Sequence, residues 1–348
     1  MKNRRPNLDD WTEYFKDTGL PLDLIEIYTK YIKDMYQRGY SPIFEFRHLC
    51  KLMGRSKGYL SSVIMSPENH YREFKIPKAS GGFRLIKAPY PALLQCQRWI
   101  VNNILEKVKI SFVAHGFRRK RSILTNVKLH LAAPNILKID LKDFFPSISL
   151  NSVISIFKDL GYPNNVSYCL AKLCTSDNCL PQGAATSPYI SNIAIRKLDW
   201  RLYYLCKKCG TIYTRYADDM TFSGKYIGSG FISIVNKIIE EEVFKINIEK
   251  TRLFKRKGKR IVTGISVNNS DPKIPLKMKR NLRQQVYYTL KYGVKSHMDR
   301  SKIRDPFYIQ SLYGKIQFWK WVEPNNKFLI STIPQIQKLL PKKIEKAI

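Results

Sequence analysis

The sequence is poor in acidic residues: 27 Asp and Glu stand against 61 Lys and Arg in 348 residues, so the formal net charge is +34. A folded chain this basic repels itself and needs a polyanionic partner, with nucleic acid the first candidate and an acidic membrane surface the second. Hydrophobic residues still make up 44% of the chain. That fraction is enough to bury a core, which excludes a disordered basic tail.

Long apolar runs are also missing, and the N-terminal residues and the cysteine count favour a chain with no signal sequence and no disulfides. The longest uncharged stretch, residues 178–195, is interrupted by Pro181, Gly183 and Pro188, which excludes a membrane span. The first residues, Met-Lys-Asn-Arg-Arg-Pro, lead into polar sequence, so we expect no signal peptide. Seven cysteines, an odd number, favour reduced thiols. These absences predict a soluble cytoplasmic protein with no membrane association.

The positive charge is concentrated towards the C-terminal end. Residues 250–348 contain 24 Lys and Arg but 5 Asp and Glu, so more than half of the net charge lies in the last 99 residues. A uniformly solubilising surface would not have that distribution. A module that binds a phosphate backbone would have its positive charge concentrated in this way.

Helix-like and strand-like patterns follow one another without regular alternation, which predicts an α+β fold. Hairpins are expected over 71–89, with a turn at Ser80-Gly81-Gly82, and over 211–223, with Asp218-Asp219 at the tip. Other β-prone runs cover 135–140, 251–255 and 261–267. Helical patterns cover 9–38, 45–65, 91–108, 150–160, 164–174, 186–207, 229–245 and 277–348.

Three acidic residues stand at strand ends in this basic chain. Asp140 ends one β-prone run, and Asp218 and Asp219 occupy the hairpin tip. An adjacent pair of Asp residues is normally a solvated turn. Three carboxylates gathered at strand ends, however, are the hard oxygen ligands that two Mg²⁺ ions need for phosphoryl transfer, with Mn²⁺ as a substitute.

Four sequence boxes resemble those of reverse transcriptases and occur in that family's order: Pro77-Lys-Ala-Ser-Gly-Gly-Phe-Arg84, Asp140-Leu-Lys-Asp-Phe-Phe-Pro-Ser147, Leu180-Pro-Gln-Gly-Ala-Ala-Thr-Ser-Pro188 and Tyr216-Ala-Asp-Asp219. Two further boxes resemble the bacterial retron group. Asn126-Val-Lys-Leu-His130 is similar to its Asn-Ala-x-x-His box, with Val127 where Ala is usual. Val262-Thr263-Gly264 matches its Val-Thr-Gly box.

The resemblance implies a right-hand polymerase fold with fingers, palm and thumb. We expect an N-terminal helical extension at 1–70, interleaved fingers and palm at 71–270, and a basic helical thumb at 271–348.

The resemblance also implies roles for individual residues. Asp140, Asp218 and Asp219 would be catalytic and would hold the two metal ions. The incoming dNTP would be bound by Lys78, Arg84, Phe145 and Gln182, with Phe145 excluding a ribose 2′-OH and Phe144 packing in the core. RNA or primer contacts are expected from Tyr216, Asn126, His130, Val262, Thr263, Gly264, Lys279, Arg280 and Arg283.

Each of these residues also has a plain structural interpretation. Cations on a hairpin tip usually face solvent, a Phe usually belongs to the core, Tyr216 could simply pack in the palm, and a lone His is usually structural. Cys206-Lys-Lys-Cys209, taken with Cys174 and Cys179, invites a zinc interpretation, but one Cys-x-x-Cys is weak and plain thiols are expected.

The predicted function is RNA-directed DNA synthesis by a retron enzyme. The family implies a cognate structured non-coding RNA that is both template and, through an internal 2′-OH, primer. It also implies dNTPs, a branched RNA–DNA product, host RNase H and an effector protein in anti-phage defence. The alternatives are a group II intron-type enzyme, which normally continues beyond the thumb, a phage-exclusion enzyme that makes untemplated DNA, and a non-catalytic RNA-binding scaffold.

Overall fold

The structure is a computed structural model that describes residues 7–78, 81–255 and 258–341. Met1–Pro6, on which the absence of a signal peptide was judged, and Ser80 of the predicted turn lie outside these ranges. The described helices are α1 (Leu8–Asp17), α2 (Leu22–Gln37), α3 (Phe46–Met53), α4 (Lys57–Met65), α5 (Pro91–Asn103), α6 (Ile123–Lys128), α7 (Leu150–Asp159), α8 (Asn164–Cys174), α9 (Ser187–Ala194), α10 (Arg196–Lys208), α11 (Ser229–Glu241), α12 (Leu276–Tyr292), α13 (Val294–Arg300), α14 (Tyr308–Val322) and α15 (Lys327–Lys338).

The described strands are β1 (Tyr71–Pro77), β2 (Phe83–Pro89), β3 (Asn135–Lys142), β4 (Ile212–Tyr216), β5 (Asp219–Gly224), β6 (Lys245–Ile246), β7 (Arg252–Phe254), β8 (Ile261–Val262) and β9 (Ile265–Ser266). The mixed, irregular order of helices and strands confirms the α+β prediction. None of the described helices has the length and apolar character that crossing a bilayer requires.

Three helical predictions missed breaks, and the one over 277–348 is four helices, α12 to α15, in the part that is described. The helix predicted over 9–38 is α1 and α2, separated by a turn in which Gly19 has φ +72° and Pro21 precedes α2. Glycine adopts that conformation without steric cost, and proline cannot continue a preceding helix. The helix predicted over 186–207 is likewise α9 and α10, which meet at Ile195.

The chain divides into two compact units, each assembled from several segments. The first comprises Met1–Phe117, Leu141–Leu202 and Ile234–Asn247, and the second comprises Arg118–Asp140, Tyr203–Ser233 and Ile248–Ile348. The predicted division into three ranges at residues 70 and 270 stays a prediction.

The N-terminal helices of the first unit are held by aromatic packing. Phe15 of α1 and Ile25 and Ile32 of α2 form a small buried cluster, with Trp11 and Phe44 packed against it. The ring centres of Trp11 and Phe44 lie 5.6 Å apart in an edge-to-face arrangement, which such pairs favour. α1 begins with a capping box, in which Asn7 accepts a hydrogen bond from the backbone of Asp10.

The five-stranded sheet has the order β4-β5-β3-β6, with β7 also pairing with β3. All its pairings are antiparallel. The second unit has a large hydrophobic core in which α12, α14 and α15 pack around the fully buried Trp319. Leu282 and Val286 of the predicted apolar row on α12 are buried there, but Leu290 is partly exposed.

Candidate active site

The hairpin of β4 and β5 carries two acidic residues at its tip, as the sequence predicted. Tyr216 is paired with Asp219, so the connection consists of Ala217 and Asp218 alone. Ala217 has φ +58°, the left-handed conformation that such tight two-residue turns require. The strands on either side have side chains that are mostly buried. The turn is therefore fixed to a rigid base.

The third acidic residue is brought to this tip by strand pairing. β3 runs antiparallel to β5 with Asp140 directly opposite Asp219. Side chains of directly opposed residues lie on the same face of a sheet. Three carboxylates from positions 78 and 79 residues apart in the chain thus meet at one sheet edge, all within the second unit.

Negative charge at this edge is only partly compensated. Burial raises the pKa of Asp218, and the neighbouring charge of Asp140 raises it further. Burial also raises the pKa of Asp219, although the ammonium group of Lys138 acts in the opposite direction. Perturbed carboxylates in this kind of setting are typical of functional sites.

Two lysines contact the acidic residues. Lys138 Nζ lies 2.9 Å from Asp219 Oδ2, and Lys250 Nζ lies 3.0 Å from Asp140 Oδ1. As the side chains stand, no group of three or more His, Cys, Asp and Glu residues in 7–78, 81–255 and 258–341 is arranged to hold a metal ion. The chemistry of the donor set nevertheless fits divalent cations, since clustered, desolvated carboxylates are hard oxygen ligands in need of positive charge.

A buried arginine supports the turn from within the hairpin. The Arg215 side chain is fully buried, and its Nη1 donates a hydrogen bond of 3.0 Å to the carbonyl oxygen of Ala217. A charged side chain is almost never fully buried without partners. This bond ties the strained residue of the turn to strand β4, next to Asp218.

Asn126 and His130 lie in the core, which differs from the RNA-facing surface that was predicted. Both are fully buried. The two ring nitrogens of His130 lie 2.7 Å from the hydroxyls of Ser223 on β5 and Thr214 on β4. The side-chain amide of Asn126 has no hydrogen-bond partner in the part of the chain that is described. His130, two residues beyond the end of α6, therefore joins the two strands of the acidic hairpin.

Lys78 and Arg84 lie on the β1–β2 hairpin of the first unit, and both are exposed. Pro77 pairs with Phe83, and the backbone amide of Lys78 donates to Gly82 O at 2.9 Å, which closes the connection. The hairpin prediction is confirmed. Exposed cations beside a closed turn are free to grip a phosphate group.

Gln182 lies on a loop that is docked against the β2 backbone. The carbonyl oxygen of Gln182 accepts a hydrogen bond of 2.9 Å from Lys87 N. A Cβ atom added to Gly183 would lie 2.7 Å from Lys87 O, and the φ of this glycine is +128°. Only glycine fits at that close approach. The Gln182 side chain is half-buried.

The two neighbouring phenylalanines of the first unit differ in burial. Phe144 is buried, as predicted, with its ring 5.9 Å from that of Phe244. Phe145 is half-buried, and its ring centre lies 6.1 Å from that of Phe117. Asp143, left out of the predicted ligand set, is exposed.

The Val262-Thr263-Gly264 box forms the tight hairpin of β8 and β9. Thr263 and Gly264 have positive φ angles of +43° and +83°. Val262 is fully buried in the core of the second unit, while Gly264 is exposed. Tyr216 is half-buried at the end of β4.

The three predicted RNA-binding cations of α12 are not equivalent. Lys279 forms an ion pair of 2.7 Å with Glu323 and is largely buried. Arg283 lies over the rings of Trp319 and Phe328, 5.8 and 5.1 Å from their centres. Arg280 is exposed. Two of the three cations therefore stabilise the helical core as well as adding positive charge.

All seven cysteines are free thiols. Cys174 and Cys206 are buried, Cys179 is half-buried and Cys209 is exposed. Burial raises the pKa of Cys206 to about 12, which keeps that thiol protonated at neutral pH. The geometry agrees with plain thiols.

Sequence reasoning missed Lys138, Lys250, Arg215, Thr214 and Ser223. Lys138 could have been found, because it lies two residues before Asp140 in a strand and so on the same face. Lys250 and the two hydroxyls have no such local signal.

Comparisons with known proteins identify the family of the chain. The sequence profile of the family described as reverse transcriptase (RNA-dependent DNA polymerase) matches residues 76–270. The retron Mx162 reverse transcriptase of Myxococcus xanthus is 35% identical over an alignment of 278 residues, which covers 69% of this chain and 57% of that relative. The retron Mx65 reverse transcriptase of the same organism is 38% identical, over 58% of this chain and 52% of the relative. The chain thus spans little more than half the length of these two proteins.

A third relative is covered more fully. The retron Ec86 reverse transcriptase of Escherichia coli is 35% identical over 233 residues, which are 66% of this chain and 73% of that relative. The family match confirms the right-hand polymerase fold predicted from the sequence boxes. The chain belongs to the reverse transcriptase family and, within it, to the retron reverse transcriptases.

Proposed function

We propose that the protein is an RNA-directed DNA polymerase that copies a cognate structured RNA into single-stranded DNA. The observation that carries the proposal is the register of the sheet, which sets Asp140 opposite Asp219 beside the Asp218 turn in a strongly basic protein. Carboxylates gathered in this way oppose nucleic-acid binding unless cations neutralise them. Reverse transcriptases use divalent metal ions.

In this proposal Asp140, Asp218 and Asp219 hold two Mg²⁺ ions. When bound, the ions supply Lewis-acid stabilisation to the attacking and leaving oxygens of phosphoryl transfer. Lys138 contacts Asp219 and Lys250 contacts Asp140, so the two lysines would hold these carboxylates in place and limit their repulsion until cations bind. Binding of Mg²⁺ should then raise the Tm of the wild-type protein but not of Asp218→Asn.

The first unit would contribute nucleotide binding. Lys78 and Arg84 would bind the triphosphate through exposed cationic groups, and Gln182 would line the nucleotide pocket on its docked loop. Phe145, half-buried beside Phe117, would stand against the sugar and exclude a 2′-OH. Accordingly, Phe145→Val should raise the ratio of ribonucleotide to deoxyribonucleotide incorporation. An unchanged ratio in an otherwise active variant would assign Phe145 to the core.

The family also supplies the finer proposal of a retron reaction. An internal 2′-OH of the RNA would prime synthesis, the product would be a branched RNA–DNA molecule, and host RNase H would trim the template. Tyr216 and residues 262–264 would support the primer end. A separate effector protein in anti-phage defence and a cytoplasmic location complete this proposal.

The test is primer extension by the purified protein on a generic RNA template with a DNA primer, dNTPs and Mg²⁺. Asp218→Asn should abolish extension, whereas Asp271→Asn, an exposed acidic residue outside the site, should not. Extension by Asp218→Asn at more than about a tenth of the wild-type rate would refute the metal assignment. Sequencing the nucleic acid that copurifies with the protein, with and without debranching, tests the retron reaction separately.

A further inference from the structure

The C-terminal half of α12 has a group of exposed aromatic side chains that none of the roles above uses. Tyr287, Tyr288 and Tyr292 are 54%, 36% and 49% exposed. Tyr288 and Tyr292 are four residues apart and so follow one another on the same face of the helix. Large aromatic side chains left this accessible need a reason, because each could have contributed to a core.

These rings form an ordered row. The Tyr288 ring is nearly parallel to that of Tyr292, with centres 6.0 Å apart and planes 25° apart. It is also nearly parallel to the ring of His297 on α13, at 5.8 Å and 16°. His297 is buried and contacts the buried Tyr308, with ring centres 5.7 Å apart. One end of the row is thereby anchored in the core, and the other end, at Tyr292, is open to solvent.

Lys291 holds the two outer tyrosines. Its Nζ donates a hydrogen bond of 2.9 Å to Tyr287 Oη and lies 5.3 Å from the ring centres of both Tyr287 and Tyr292. A cation at this distance is attracted to the face of an aromatic ring. The rings are therefore presented in a fixed arrangement with a positive charge between them.

The charge of α12 indicates which class of partner binds there. α12 contains five basic residues and no acidic residue: Lys277, Lys279, Arg280, Arg283 and Lys291. Such a helix attracts a polyanion. Parallel aromatic rings interleaved with cations are the feature by which proteins bind single-stranded nucleic acid, since every base has a face that can stack.

We propose that Tyr287, Tyr288, Lys291 and Tyr292 form a binding site for unpaired bases of RNA. The inference rests on the proposed function, and it specifies that this surface binds the unpaired segments of the RNA. The bases stack on the exposed tyrosine rings, and Lys291 with the neighbouring cations contacts the phosphates. A base-paired segment does not suit the site, because the faces of its bases are already covered by their neighbours in the duplex.

The test compares two double variants of the full-length protein that keep every charge. Tyr288→Leu with Tyr292→Leu removes the aromatic faces but keeps apolar side chains, whereas Tyr288→Phe with Tyr292→Phe keeps the faces. The probes are a single-stranded uridine RNA of about 12 nucleotides and a blunt RNA duplex of the same length. Binding is measured in EDTA, so the result does not depend on DNA synthesis.

The Leu pair should weaken binding of the single strand about tenfold or more, as loss of a stacked base predicts. Its affinity for the duplex should stay within about twofold, and its salt dependence should be unchanged because no cation is lost. The Phe pair should bind like the wild type. Tyr226→Leu, at a tyrosine that is 81% exposed elsewhere in the second unit, is the matched control and should have no effect.

Equal losses for single strand and duplex in the Leu pair would overturn the proposal, since a stacking site must distinguish them. Unchanged binding of the single strand by the Leu pair would also overturn the proposal. Loss of a copurifying protein in that variant would then indicate that the surface binds protein instead of RNA. Primer extension on a preformed hybrid, assayed separately with Mg²⁺, reports on the proposed function alone.

Discussion

The β1–β2 and β4–β5 hairpins have the same local motif but opposite relations to the rest of the molecule. The strands of β1–β2 are exposed over most of their length, and the cations near its turn, Lys75, Lys78 and Arg84, face solvent. The strands of β4–β5 are mostly buried, and Asp219 at its tip contacts Lys138, which is distant in the chain. The difference teaches that the tip of the first hairpin can be changed locally, whereas a change to a charge at the tip of the second alters folding and chemistry together.

The largest effect is expected at the tip of β4–β5. Asp218→Asn should reduce DNA synthesis by about 10³-fold or more, since it removes a metal ligand. The same change should raise the Tm by about 1–3 °C at neutral pH, because the buried Asp218 carboxylate repels Asp140. Thermal unfolding and primer extension on the same samples measure both effects.

The pH dependence checks the cause of that stabilisation. The pKa of Asp218 is raised in the folded state, so its ionisation opposes folding, and this penalty grows as the pH rises above the ordinary Asp value of 3.8. The advantage of Asp218→Asn should therefore shrink as the pH is lowered through the raised pKa towards the ordinary Asp value of 3.8. A lower Tm in the variant than in the wild type at neutral pH would show that the Asp218 carboxylate does not destabilise the folded protein.

The next largest effect should come from the support of the turn. Arg215→Met removes the buried donor to Ala217 O and should cost about 1–3 kcal/mol of unfolding free energy. It should also slow primer extension by about 10–100-fold, because small displacements of catalytic groups are costly. Both are measured against the wild type by denaturant unfolding and steady-state kinetics.

A second substitution tests whether Arg215 acts through the turn. Ala217→Gly relieves the left-handed conformation of residue 217, so it should restore about 1 kcal/mol to Arg215→Met and part of the rate. Ala185→Gly is the control, since Ala185 has no positive φ. If both glycines have the same effect, the Ala217 contact is not the basis of the loss.

A smaller effect on activity is expected from His130→Phe. The ring still fills the core, but the Ser223 and Thr214 hydroxyls lose their shared partner, at a cost of about 2–4 kcal/mol for the two. Because His130 is buried, synthesis on a generic primer–template and on the copurifying RNA should fall by the same factor. A selective loss on the copurifying RNA would restore the predicted RNA contact.

Asn126→Leu is the comparison within the same segment, because Asn126 lies in α6 and His130 follows two residues after its end. The Asn126 amide is buried with no partner among the described residues, so its replacement by an apolar side chain of similar size should leave stability unchanged or raise it. A loss of stability comparable to that of His130→Phe would show that Asn126 is hydrogen-bonded in solution.

The smallest effect on folding is expected in the exposed hairpin. Lys78→Ala with Arg84→Ala should change the free energy of unfolding by no more than about 0.5 kcal/mol, as surface substitutions do. The KM for dNTPs should rise about tenfold, because two phosphate-binding cations are lost. Lys75→Ala, exposed on the same hairpin away from the turn, should leave KM unchanged. An unchanged KM in the double variant would show that Lys78 and Arg84 do not bind the dNTP.

Local sequence was a good guide to most elements and to the acidic hairpin. The glycine turn of β1–β2, the acidic tip of β4–β5 and the helices after residue 276 follow from patterns a few residues long. The breaks at Gly19 and Ile195 were missed because the apolar spacing continues across them. The role of residues 126 and 130 was missed because helix periodicity shows which residues share a face but not what that face contacts.

The sequence by itself determined the charge of the protein, the positions of its three acidic residues and the boxes that assign its family. These depend on residue identity and short spacing. Only the tertiary structure decided which charges are compensated: Lys250 reaches Asp140 across 110 residues, and His130 joins Thr214 and Ser223 across 84 and 93. Such contacts are set by strand register and helix packing. Burial then shifts the pKa of the carboxyl groups, because a charge that is removed from water depends on its nearest charged and polar partners for stabilisation.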